Sequence, residues 1–244
     1  MARVTDLFRH PIKGLGGEAI TETALHKDRP LPHDRQWAIL QEGQRDTGTW
    51  QRRGTFGHVA RGPRLAPTRT AVDGSAITVT HPDLPPLRFE PGLDDQRLLE
   101  WLTPIWGDAL QPPTSLIPAP VTGMTDANYP SVSIMSRASL AALQDAAEQL
   151  VDPRRFRGNI WIEDLPPWAE NNWTNRTLRI GTAEATIIEP IIRCRAIEAN
   201  PETGVFDANL IKTLKGHWDH VYFGVNARVT KPGEVRLGDT LEVL

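Results

Sequence analysis

The stretch ATIIEPIIRCRAIE, residues 185–198, decides how the chain is read. Its β-branched and apolar residues predict a strand, which Pro190 interrupts. It also carries Cys194, the only cysteine of the chain. Side chains alternate faces along a strand, so Arg193 and Arg195 would point away from the side on which Cys194 lies. Their charges reach the thiol only if the strand bends or ends there, which Pro190 permits. Two readings stay open: a small buried apolar residue, or a thiol whose surroundings favour thiolate chemistry.

Further runs of the same kind lie outward from this strand. Residues 3–9, 36–40, 76–80, 160–163 and 177–180 read as strands. So do residues 222–229 and 234–243, with Lys231-Pro232-Gly233 as the turn between them. The 21 prolines and 19 glycines are scattered, which keeps elements short and disfavours a helical bundle. Helices are few. Residues 94–102 place Leu98, Trp101 and Leu102 on one face behind an acidic first turn. Residues 136–150 begin at Ser136 as N-cap and carry a stripe of Leu140, Leu143, Ala147 and Leu150. A short third helix is expected over 207–214 with Asp207 as cap. The proline-rich run 111–126 has no periodicity and reads as a linker or crossover loop. The expected class is therefore mainly β with a few helices, α+β.

The chain has 244 residues and a net charge of −3. That length allows one to two domains and a substantial core. One cysteine excludes a disulfide framework and any all-cysteine zinc or iron–sulfur site within the chain. Balanced charge argues against bulk nucleic-acid binding. The 22 arginines outnumber the 5 lysines, which suits planar grips on phosphate or carboxylate and equally reflects codon bias. The first ten residues lack an apolar signal-peptide core, and no run approaches the roughly 18 apolar residues of a membrane span. A cytoplasmic protein with no membrane partner is expected.

Four segments offer chemistry. His10-Pro11-Ile12-Lys13-Gly14 follows a strand and can offer a lysine and free backbone N–H groups to a phosphate. A flexible turn with a solvated lysine is the alternative. Asp34-Arg35-Gln36-Trp37 opens a strand, although Asp–Arg pairs are common on surfaces. Arg154-Arg155-Phe156-Arg157-Gly158-Asn159 could grip a phosphate or simply cap a helix C-terminus. Arg193-Cys194-Arg195 is the fourth. His217 and His220 stand three apart with no further metal ligand evident nearby. No GxSxG, HExxH or GxGxxG motif occurs.

As an ordered set these segments resemble the MOSC family, and within it the two-part arrangement of the amidoxime-reducing components and their bacterial relatives. The resemblance spans nearly the whole chain. His10-Pro11-Ile12-Lys13-Gly14 and Asp34-Arg35-Gln36-Trp37 look like the family's Tyr-Pro-Val-Lys-Ser and Asp-Arg-x-Trp. Gln51-Arg52 looks like its Thr-Gln-Arg stretch. Ser136-Arg137-Ala138-Ser139-Leu140 and Arg155-Phe156-Arg157-Gly158-Asn159 look like its helix start and Arg-Phe-Arg-x-Asn. Arg193-Cys194, then Asn200-Pro201-Glu202-Thr203-Gly204, is the most specific block. Phe223-Gly224-Val225 and Leu237-Gly238-Asp239 fit its ending.

The resemblance implies a MOSC-type β-barrel over residues 113–244 and a β-rich N-terminal lobe over 1–112, with residues 1–35 packed against the barrel. It implies a molybdenum cofactor, a molybdenum-bearing molybdopterin, with Cys194 as thiolate ligand and catalytic residue. Soft thiolates suit such metals and bind them deprotonated. Lys13, Gly14, Arg35, Ser136, Arg157, Asn159 and Arg193 are the implied cofactor-binding positions. Gly14 departs from the family's serine, which removes a hydroxyl contact that backbone N–H groups could replace. The implied activity is reduction of small N-hydroxylated substrates, amidoximes and hydroxylamines, at molybdenum. Electrons are then expected from a separate ferredoxin-like or cytochrome b5-like donor with its reductase, because no further cysteine is available. A carrier of the cofactor or of a sulfur atom, without turnover of its own, is the alternative.

Overall fold

The computed structural model describes residues 1–244. In chain order its strands are β1 (Ala2–Arg9), β2 (Ile12–Lys13), β3 (Glu18–Ile20), β4 (Glu22–Leu25), β5 (Trp37–Gln41), β6 (Arg69–Asp73), β7 (Ala76–His81) and β8 (Leu84–Phe89). They continue with β9 (Pro113–Pro118), β10 (Val132–Ser136), β11 (Ile160–Glu163), β12 (Thr177–Ile180), β13 (Ala183–Ile192), β14 (Tyr222–Lys231), β15 (Gly233–Arg236) and β16 (Thr240–Val243). Three helices interrupt them, α1 (Asp95–Leu102), α2 (Arg137–Ala147) and α3 (Leu210–Trp218). The protein is mainly β. No helix is long and apolar enough to cross a membrane.

Seven strands form a barrel in the order β11-β10-β14-β13-β12-β16-β1, closed by pairing of β1 with β11. The closing strand is the first of the chain. Its opening residues pair with β16, and Leu7–Arg9 continue outward to pair with β3. The chain thus leaves the barrel at His10 and enters the N-terminal lobe through β2, which lies parallel to β5. That lobe holds a β2-β5-β9 sheet and a β6-β7-β8 meander. A β4–β15 ribbon ties the two ends of the chain together.

Three apolar clusters follow from this topology. Val4, Ile134, Ile160, Ile187 and Val225 fill the barrel. Ile12, Leu15, Ile39, Phe89 and Trp106 fill the lobe. The third packs α2 and α3 onto the outer barrel wall through Leu140, Leu143, Phe156, Leu214 and Phe223. There Phe156 stacks on Phe223 with ring centroids 3.9 Å apart. Truncating such a fully buried aromatic costs about 3–5 kcal/mol.

Several elements differ from the sequence expectation. The Ser136 Oγ accepts from Ser139 N–H at 3.2 Å and caps α2. The helix stops at Ala147, because Glu148 turns left-handed with φ 52°. Leu150 consequently lies outside the helix and is 89% exposed rather than part of the buried stripe. The third helix begins at Leu210, after Asn209, and Asp207 does not cap it. Its carboxylate instead accepts from Arg155 at 2.7 Å and from Asn200. Within residues 111–126, Pro113–Pro118 form a strand that pairs with β5. The expected long strand 185–198 ends at Ile192, and residues 195–198 form a 3-10 turn. His217 and His220 pack against Trp218, Trp168 and Tyr222.

Candidate functional site

A cleft of ≈ 330 Å³ lies between the barrel and the N-terminal lobe. Four chain segments far apart in sequence converge on it, because β1 carries residues 10–14 from the barrel wall to the lobe's edge. Lys13, Gly14, Arg35, Arg157, Asn159, Arg193 and Cys194 all line this cleft. Ser136 does not. Ser131, Ser133 and Met135 line it instead, since side chains alternate along β10 and Ser136 falls on the other face. The Ser136 hydroxyl caps the helix instead of lining the cleft.

The end of β13 sets Cys194. Beyond Ile192 the half-buried Arg193 side chain turns inward. Its Nε donates to the Phe223 carbonyl at 2.8 Å and its Nη1 to the Phe156 carbonyl at 2.9 Å. Nη2 adds contacts to the Phe223 carbonyl and the Met135 sulfur. Burial pulls its pKa down to about 9. Through these bonds Arg193 braces the cysteine loop while it lines the cleft. Arg195 turns outward over the Phe206 ring at 3.8 Å. Neither flanking arginine faces the thiol. The cation that does comes from the lobe: Arg53 Nη1 donates to Cys194 Sγ at 2.8 Å.

Arg53 is a site residue that sequence reasoning missed. It sits one position beyond the quoted Gln51-Arg52 pair, and only its reach across the cleft reveals it. His58 is another. Burial, then Arg53 and Arg61, lowers its pKa to about 4, and its Nδ1 is buried without a partner. Asp126 is the third. Its Oδ1 accepts from Lys13 Nζ at 2.5 Å and its Oδ2 lies 3.8 Å from Arg53. Lys13 also donates to the Met124 carbonyl at 2.8 Å. Burial lowers the Lys13 pKa, against the opposing pull of Asp126.

The arginines of the cleft floor are held by a buried network. Arg35 donates to the Asp34 carboxylate at 2.5 Å and to the Arg157 carbonyl at 2.8 Å. Asp34 also accepts from the His10 backbone N–H at 2.7 Å. Burial pushes the Asp34 carboxyl up, but Arg35 and His10 outweigh it and hold it well below the usual carboxylate range. Burial, with Arg35 beside it, lowers His10 to about 3, so this histidine is neutral. Arg157 donates to the Leu15 carbonyl, and burial plus Arg35 lower its pKa to about 9. Both Arg35 and Arg157 adopt left-handed backbone, with φ 48° and 52°. Side chains other than glycine pay for that conformation, and such strain clusters at sites. Asn159 accepts from Ser133 N–H and Oγ and donates to the Phe8 carbonyl, so it locks the wall rather than facing it with free donors.

Gly14 has φ +89°, and a Cβ there would lie 2.3 Å from the Gly57 carbonyl oxygen. Glycine is therefore required by the close approach of two backbones, and no serine hydroxyl fits. In sum, the lining carries Lys13, Arg35, Arg53, Arg155, Arg157 and Arg193 against the carboxylates of Asp126 and Glu189. Such a cleft suits an anionic ligand. No group of three or more His, Cys, Asp or Glu side chains converges. A metal beside Cys194 would thus need to arrive with most of its ligands already in place.

Comparison with known proteins accords with this architecture. Residues 124–242 match the MOSC domain model and residues 1–105 the model of the MOSC N-terminal beta barrel domain. The mitochondrial amidoxime reducing component 2 of Bos taurus is 32% identical over 126 residues, 46% of this chain and 37% of that protein. The match therefore spans little more than a third of that relative's length. Molybdenum cofactor sulfurase 2 of Culex quinquefasciatus is 39% identical over 67 residues, 28% of this chain and 8% of that protein. The YuaD protein of Bacillus subtilis aligns with all of this chain and 96% of its own at a TM-score of 0.50 and 12% identity, a likeness of fold. With both models placed in order along nearly its whole length, the chain belongs to the MOSC domain family.

Proposed function

We propose that the cleft holds a molybdenum-bearing pterin cofactor with Cys194 as thiolate ligand, and that the loaded protein reduces N-hydroxylated compounds. The observation that carries this reading is a half-exposed lone thiol in a cationic cleft, hydrogen-bonded by Arg53. The donor set fits the group. The protein offers one soft ligand, Cys194, and a pterin cofactor would have to bring further sulfur ligands of its own. Lys13, Arg35 and Arg157 supply charges for the cofactor's phosphate.

When bound, the cofactor supplies the two-electron chemistry. The overall change is R–NH–OH + 2 e⁻ + 2 H⁺ → R–NH₂ + H₂O: the N–O bond breaks, an N–H bond forms and oxygen leaves as water. The chain's own residues position these partners. Arg53 neutralises negative charge on the sulfur. The Asp34–Arg35–Arg157 network keeps the floor rigid, so the phosphate end cannot shift. Arg193 fixes the Cys194 loop by tying it to the Phe156 and Phe223 carbonyls. Electrons come from a separate donor protein, ferredoxin-like or cytochrome b5-like.

The test is metal and pterin analysis of protein made in a cofactor-competent host, with an aryl amidoxime assay driven by reduced viologen. Stoichiometric molybdenum and amidoxime reduction, both greatly lowered in Cys194→Ser, are the expected results. Full activity in Cys194→Ser overturns the ligand assignment. Protein that transfers its cofactor to an apo-enzyme yet reduces nothing is a carrier instead.

A further inference from the structure

The cleft has two carboxylates amid its cations, and only one of them lacks a cationic partner. Glu189 follows a β-bulge between Ile187 and Glu189, where the register against β14 shifts and sets it opposite Asn226. Bulges re-aim side chains, and Glu189 and Asn226 both line the cleft. The other cleft carboxylate, Asp126, is paired with Lys13 and Arg53. Glu189 forms no ion pair. Its partner is a neutral phenol, Tyr129, whose hydroxyl donates to Oε1 at 2.6 Å. Burial, then this hydrogen bond, raises the Tyr129 pKa, so the phenol stays a donor. Glu189 is exposed at the cleft mouth, and its second carboxylate oxygen has no donor within the chain, which leaves it open to a ligand.

Glu189 and Cys194 lie five residues apart on one wall, at most about 17 Å along an extended backbone. Both side chains line the same cleft. We infer that Glu189, oriented by Tyr129, is a subsite for the cationic C–N end of an N-hydroxyguanidine, and selects such substrates over neutral ones. A planar amidinium offers two parallel N–H groups, and a carboxylate accepts such a fork best. In this division the cationic floor holds the anionic cofactor and the unpaired Glu189 carboxylate receives the basic substrate.

This inference rests on the proposed reduction for its role in turnover but not for binding, and two measurements separate them. Calorimetry with benzamidine, an unreactive amidinium, reads the subsite alone. Glu189→Gln should weaken benzamidine at least 10-fold and Tyr129→Phe several-fold, with molybdenum content unchanged. In viologen-driven assays, Glu189→Gln should lower kcat/KM for an N-hydroxyguanidine at least 10-fold more than for a neutral N-hydroxysulfonamide. Benzamidine binding lost in Glu189→Gln, in protein that reduces no N-hydroxy compound, upholds the subsite and refutes the reduction. Equal benzamidine affinity in both proteins, or equal losses for both substrates, overturns the inference while leaving the reduction standing.

Discussion

Arg53 of the N-terminal lobe donates a hydrogen bond to Cys194 Sγ on the barrel at 2.8 Å. The contact spans 141 positions of sequence and joins the two halves of the protein at the thiol. A charge-assisted hydrogen bond contributes about 1.5–3 kcal/mol, or roughly 10- to 150-fold in rate if it matters most during turnover. Arg53→Met should therefore lower kcat by at least about 10-fold with molybdenum retained, and Arg53→Lys should recover part of it. Unchanged kcat in Arg53→Met would remove Arg53 from the site.

The floor cations should govern cofactor retention. Lys13→Ala with Arg157→Ala should lower pterin content after gel filtration by well over half. Arg157 also holds the Leu15 carbonyl, so that pair of changes affects the fold as well. Lys13→Met alone keeps the aliphatic packing and should show the same trend at a near-native melting temperature. Unchanged pterin content in both proteins would place the phosphate site elsewhere.

Gly14 gives a test of geometry. Placing a serine there, as the family resemblance implies, should not add a useful hydroxyl. It should destabilise, because φ is +89° and the new Cβ meets the Gly57 carbonyl at 2.3 Å. Left-handed backbone alone costs about 1–2 kcal/mol for a residue with a Cβ, and the clash adds to it. A urea midpoint for Gly14→Ser at or above that of the native protein would contradict this close approach.

Stability should fall in mild acid. His10 and His58 titrate near 6.5 when unfolded, but at about 3 and about 4 in the fold. Between those values the unfolded chain binds more protons, so stability rises with pH. It is complete above pH 6.5 and is lost as pH falls towards 4 and then 3. Urea midpoints between pH 7.5 and 4.5 should therefore decline, and His10→Asn should flatten the decline. The same slope in that variant would mean that His10 takes up its proton without cost.

Much of the fold is legible in the sequence, and the gaps have physical causes. The apolar run 160–163 and the alternating residues 177–180 form β11 and β12 with the expected bounds. The strands β8 and β9 escape notice because each contains two prolines. Proline removes ladder donors and is tolerated at edges, and both strands are edges of their sheets. The end of α2 is obscured because Glu148, not glycine, adopts the left-handed turn. In the cleft, Lys13, Arg35 and Cys194 stand out because each sits in a short unusual motif. Arg53, His58 and Asp126 do not, since their importance arises only when the lobe folds against the barrel. Arg193 is legible beside the cysteine, but its hold on two backbone carbonyls emerges only in the fold.

The most direct test of the central claim is molybdenum-edge X-ray absorption on cofactor-loaded native protein and on Cys194→Ser. The cleft geometry predicts that the variant, where it retains metal, loses one sulfur from the molybdenum shell. An unchanged sulfur shell, or native protein that takes up no molybdenum in a cofactor-competent host, would contradict it.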